Sequence, residues 1–173
     1  HNFYRFQKPT SANAPSMIEL FSKRPIDYLI DDSLRTTPIH ISESVTSLSA
    51  LVLDSGYYDL LAEGKTVING FSVLSTKYLV VFKAKAWLDL SDRRDRGEAV
   101  DSGNIKKHIN DIFRLHEILE DSESIKLPTD VKEDMSEFIN RLASSGLNPT
   151  AIPGVESSLS DITSTYKSIL NAQ

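Results

Sequence analysis

The chain has 173 residues, 19 basic and 24 acidic side chains and no cysteine, for a net charge of −5 at pH 7. Disulfides and thiolate metal sites are therefore excluded, and a reducing, cytoplasmic setting is expected. The acid excess disfavours broad electrostatic binding of nucleic acid, and neither a membrane-length apolar run nor a signal-peptide pattern is present, so no membrane partner is expected.

Hydrophobic and charged contents of 40% and 25% are ordinary for a globular chain able to build a real core. The first residues, His1 to Phe6, alternate aromatic and polar side chains without a leader. They read as the interior of a structured region, so the chain is expected to be part of something longer. Phe3 to Phe6 has strand character, and Thr10 to Ser16 is a turn region. Met17 to Phe21 reads as one short strand between Pro15 and Pro25, with Glu19 at its centre. Leu29 to Thr37 reads as a polar connection and Pro38 to Ile41 as a further strand. Ser47 to Leu53 fits either a strand or a buried helix, and Tyr57 to Ala62 a helical turn ending at Gly64. The clearest local signal follows: Thr66 to Ile68, Asn69-Gly70 and Phe71 to Leu74 spell a β-hairpin, because Asn-Gly supplies the two positive-φ positions of a type I′ turn.

After residue 75 the period becomes helical. Ser75 is placed to cap a helix running to about Arg96 and stopped by Gly97, with Leu79, Phe82, Ala86 and Leu90 as its inward stripe. Ser102 or Asn104 opens a second helix through Leu119, with Ile105, Ile109, Ile112, Leu115 and Ile118 inward. Thr129 opens a third, carrying Val131, Met135, Phe138, Ile139 and Leu142 and ending near Gly146. A Pro-Gly spacer leads to a last helix from about Val155 to Leu170. Strands first and helices later make an α+β fold: a short mixed or antiparallel sheet with a hairpin over residues 1–74, then a helical bundle over 75–173.

Three side chains stand out chemically. Glu19 interrupts an apolar strand and alternates to the face opposite Ile18 and Leu20, where it either faces solvent or serves as a metal ligand or base. Lys83 and Lys85 lie about 200° apart on one helix, so they point different ways. Lys83, one turn before Trp87, is the better candidate for a half-buried amine facing phosphate, the alternative being a stem packed on Trp87 with its head in water. Asp111, one turn after His108, is placed either to orient a lysine or to bridge helices as an ion pair. No P-loop, dinucleotide-binding glycine motif, Gly-x-Ser-x-Gly elbow or His-x-x-x-His pair is present.

The runs Phe3-Tyr4-Arg5-Phe6 with Lys8-Pro9, Met17 to Ser22, Leu61 to Ile68, Phe82 to Leu90 and Lys106 to Leu115 resemble bacterial nucleotidyltransferase-like proteins of the AbiEii toxin type, in the polymerase-β-type superfamily. The resemblance spans roughly residues 3–119 and is most specific at the lysine and aspartate helices. It implies that Glu19 corresponds to the third carboxylate of the family, Lys83 to its motif lysine and Asp111 to its later aspartate, with Lys85 and Lys107 as further nucleotide-binding cations. His108 stands where the family often has a first aspartate. The resemblance implies transfer of a nucleotide from a nucleoside triphosphate to a transfer RNA, protein or small-molecule acceptor, with Mg2+ as cofactor, Glu19 as one metal ligand and an antitoxin as a possible partner. The family's Gly-Ser turn and Asp-x-Asp strand occur nowhere in the 173 residues. The chain is therefore expected to be a C-terminal portion, inactive alone. The other expectation is a non-catalytic interaction domain in which Lys83 and Asp111 form a structural bridge.

Overall fold

A computed structural model describes residues 5–23, 36–38, 49–119 and 125–171. The chain divides into two compact units, residues 1–59 and 60–173, so the hairpin at 65–74 belongs with the helices. The fold is α+β, with small sheets preceding a set of C-terminal helices.

In the first unit, β1 (Arg5–Gln7) pairs antiparallel with β2 (Met17–Glu19), placing Arg5 opposite Glu19. A second sheet has the order β3-β5-β4. Here β3 (Phe21–Lys23) runs parallel to β5 (Ser49–Leu53), and β4 (Thr36–Pro38) runs antiparallel to it. Two expectations are corrected. Met17 to Phe21 is not one strand: the chain breaks at Leu20, and its two halves pair in different sheets. The polar connection expected to reach Thr37 already gives way to β4 at Thr36, while residues 39–41 of the expected strand and most of the expected connection lie outside the described residues. The 49–53 segment is a strand: its pairing with β3 and β4 settles what its short apolar run left open.

Helix α1 (Ser55–Glu63) carries the chain from one unit to the next. At its end Gly64 is buried, and its carbonyl accepts from Ser75 N at 3.0 Å, closing the base of the hairpin. The hairpin consists of β6 (Lys65–Ile68) and β7 (Phe71–Leu74), with Ile68 opposite Phe71. Asn69 at φ 51° and Gly70 at φ 81° supply the positive angles that the I′ turn demands.

The helical part consists of α2 (Thr76–Asp95), α3 (Ser102–His116), α4 (Thr129–Ser144) and α5 (Leu159–Asn171). Helix α2 packs on both α3 and α4, and α4 packs on α5. The core gathers Val81, Ala84 and Leu88 from α2, Ile109, Ile112 and Phe113 from α3, Phe138, Ile139 and Leu142 from α4, and Ile162 and Tyr166 from α5. The stripe expected for α4 is buried throughout.

The stripe expected for α2 is displaced. Tyr78, Val81, Ala84, Leu88 and Ser91 are buried, whereas Leu79, Phe82, Ala86 and Leu90 are only partly so. The segment from Tyr78 to Phe82 is apolar all round, so hydrophobicity does not select a face; the small side chains of Ala84 and Ser91 lie on the buried side. Other boundaries follow cap chemistry. Asp101, not Ser102 or Asn104, caps α3 by accepting from Gly103 N at 2.8 Å. Helix α3 ends at His116, which leaves Ile118 two-thirds exposed and Leu115 at intermediate burial. Helix α5 begins at Leu159 instead of Val155, because Ser158 and Asp161 form a reciprocal capping pair: Asp161 N donates to Ser158 Oγ and Ser158 N to Asp161 Oδ2, both at 3.2 Å.

Candidate functional site

The antiparallel turn of the chain between Arg96 and Asp101 brings α3 back along α2. Gly97 permits this turn with φ 81°, and Arg93 and Arg96 brace it by donating to Glu98. The consequence is that Lys83, in the first half of α2, meets Asp111, in the second half of α3. Lys83 Nζ donates to Asp111 Oδ2 at 2.7 Å, with the two side chains 23% and 27% exposed. Each charge is about three-quarters withdrawn from water and is compensated by the other, which is what a half-buried ion pair requires.

His108 lies one turn before Asp111 and is half-buried, with its Nδ1 enclosed and without a hydrogen-bond partner among the described residues. Burial lowers its pKa below the usual histidine value, and the Lys83 and Lys107 charges lower it further; Asp111 alone works in the opposite direction. The neutral form of the imidazole is thus favoured by its setting. Among the described residues, the charges felt by His108 are those of Lys83, Lys107 and the carboxylate of Asp111. The Asp111 carboxylate is hydrogen-bonded to the lysine across the helix pair, and His108 Nδ1 makes no hydrogen bond to it.

The other anticipated residues fall elsewhere. Lys85 projects toward α4, where it meets Asp134 at 2.9 Å and Asp89 at 3.4 Å. Burial opposes its charge, but the hydrogen bond it donates to Asp134 and the charge of Asp89 outweigh that and hold the pKa above the ordinary lysine value. It acts as a clamp between α2 and α4, as does the ion pair of Arg141 with Asp92. Lys107 is exposed on α3. Glu19 lies in the first unit, at the end of β2 and partly buried, while its neighbour Ile18 is 49% exposed. The structure therefore joins Lys83 to Asp111 within one unit and places Glu19 in the other. Among the described residues no group of three or more His, Asp or Glu side chains is arranged to hold a metal ion. No helix among the described residues is long and apolar enough to cross a membrane.

No family model, curated protein or solved structure matches the chain.

Proposed function

We propose that this chain is the C-terminal part of a nucleotidyltransferase-like protein, and that Lys83, oriented by Asp111, faces the phosphates of a nucleoside triphosphate. The observation that carries the reading is the 2.7 Å contact between Lys83 Nζ and Asp111 Oδ2 across α2 and α3, beside His108 and the second cation Lys107. A carboxylate that holds a lysine in one rotamer pre-organises it, and a fixed ammonium in a partly dry setting stabilises charge developing on a phosphoryl group. The resemblance of the Phe82–Leu90 and Lys106–Leu115 runs to the AbiEii type supports the same assignment. Magnesium enters as an ion held mainly by carboxylates other than those described here, with Glu19 offered as one ligand. The acceptor is an RNA, a protein side chain or a small molecule, and an antitoxin is a natural partner on this reading.

A thermal-shift titration with magnesium–nucleoside triphosphate tests the proposal. At a ligand concentration of about 100 Kd, the chain should gain about 2.7 kcal/mol, and the Lys83→Ala chain should lose most of that gain while keeping its helical circular-dichroism signal. An unchanged midpoint for the unsubstituted chain would end the proposal. That result would favour the second reading, a non-catalytic interaction domain, which draws support from the hairpin: Val67, Ile68 and Phe71 are 67%, 57% and 74% exposed at its tip.

A further inference from the structure

A second feature of the helical unit is independent of the Lys83–Asp111 pair. Toward the C-terminal end of α2, the helices part to leave a cleft of about 530 Å3, bounded by α2, α3 and the segment after α4. That volume lies in the range of sites for small organic ligands, roughly 300–1,000 Å3.

The walls have a definite chemistry. Trp87 and Phe113 supply aromatic surface. Trp87 is fixed by an edge-to-face contact with Phe138 at 5.6 Å and 84°, so its ring is a firm wall and not a loose flap. Ser91 lies on the cleft and is only 4% exposed, and its Oγ has no hydrogen-bond partner among the described residues. A buried hydroxyl left without a partner costs free energy that a ligand hydrogen bond would recover. Asn110 adds an amide to the lining, and two cations, Arg94 and Lys106, stand on it, Arg94 also donating to Asp95 Oδ1 from Nε and Nη2; no Asp or Glu is among the described lining residues. In a chain of net charge −5, a cleft whose described lining carries two cations and no carboxylate favours an anion, with Lys106 as the cation that no described carboxylate pairs.

We infer that this cleft is a binding site for a planar heteroaromatic anion of mononucleotide size. The ring would stack against Trp87, with its polar edge toward Ser91 and Asn110, and the anionic group would lie at Arg94 and Lys106. Stacking on an aromatic side chain is tolerant of base identity, so the site takes nucleotides as a class.

Trp87 is the only tryptophan in the chain, which makes intrinsic fluorescence a direct reporter. Titration with adenosine monophosphate in the absence of magnesium should give saturable quenching. Adenosine and ribose 5-phosphate, each lacking one half of the recognised chemistry, should bind at least about tenfold more weakly, the equivalent of about 1.4 kcal/mol. Arg94→Gln/Lys106→Gln should weaken the monophosphate at least tenfold and leave adenosine unchanged, and Ser91→Ala, which retains the fold, should weaken both. Lys83→Ala should leave monophosphate affinity within about twofold. Conversely, the double variant should keep the part of the magnesium–triphosphate thermal shift that depends on Lys83, so that failure of one site is distinguishable from failure of the other. Non-saturable quenching, equal binding of adenosine and its monophosphate, or loss of the response in Lys83→Ala would each overturn a separate anionic-ring site.

Discussion

Breaking the Lys83–Asp111 pair from its two sides should have unequal costs. At 2.7 Å and an effective dielectric of about 20, the gross attraction is about 6 kcal/mol. Desolvation of two charges that are each about three-quarters buried removes most of it. A net coupling of about 1–2 kcal/mol remains, above the range for exposed pairs and below that for fully buried ones. Lys83→Met keeps the packed stem and leaves Asp111 near the Lys107 charge, so it should cost about 1 kcal/mol. Asp111→Ala leaves the Lys83 ammonium partly buried without the carboxylate that compensates it, and should cost about 2–3 kcal/mol. A double-mutant cycle by urea denaturation, read by far-ultraviolet circular dichroism, measures the coupling directly. A coupling below about 0.3 kcal/mol, or a larger cost for Lys83→Met than for Asp111→Ala, would refute the claim that these charges hold one another.

His108 has a depressed pKa in the folded state, so the unfolded chain binds more protons as the pH drops below about 6.5. Its contribution to stability is present above that value and is lost as pH falls through the folded pKa. His108→Gln should flatten the stability–pH profile in that window, and Asp111→Asn should lower the His108 pKa further by removing the group that raises it; nuclear magnetic resonance titration of the ring protons reads both, and an elevated His108 pKa would contradict them. Gly64→Ala would set a Cβ 2.4 Å from Tyr78 Cγ and 2.8 Å from Leu74 Cδ1, which predicts a loss of about 1–3 kcal/mol in denaturant melts; a neutral result would mean that the α1–hairpin junction yields. Phe138→Ala removes a fully buried ring that touches both Trp87 and Tyr166, so it should cost about 3–5 kcal/mol and shift Trp87 emission to longer wavelength, whereas an unshifted spectrum would place Trp87 outside that packing. Tyr166 is buried and donates to the Ile112 carbonyl at 3.3 Å, and burial pushes its pKa well above the usual tyrosine range; Tyr166→Phe should cost about 1 kcal/mol by the same melts, and a gain in stability would contradict that bond.

Local chemistry made parts of the molecule readable from residues alone. Asn69-Gly70 fixes the hairpin because few other dipeptides accept two positive φ angles, and the α4 stripe from Val131 to Leu142 has a clean period against polar neighbours. Helix α2 was harder: Tyr78 to Phe82 is apolar on every side, and only its neighbours α3 and α4 decide which residues are enclosed. The break at Leu20 had no local signal, since it arises where β2 leaves one sheet and β3 enters another. At the site, the sequence placed Lys83 and Asp111 on successive helices but left their meeting open, because pairing depends on the length of the turn at Gly97. The withdrawn Ser91 hydroxyl beside Trp87 was missed. The one hint was a serine one turn beyond the tryptophan, and a serine in a helix usually satisfies itself on the backbone or in water.

The most direct measurement is transfer of label from an α-phosphate-labelled nucleoside triphosphate by the full-length product of the gene encoding this chain, compared with its Lys83→Ala and Asp111→Ala variants. The account predicts transfer by the unsubstituted protein and a loss of about 100-fold or more in each variant, with folding intact by circular dichroism. Undiminished transfer in both variants, or none by the unsubstituted protein with any acceptor class, would contradict it.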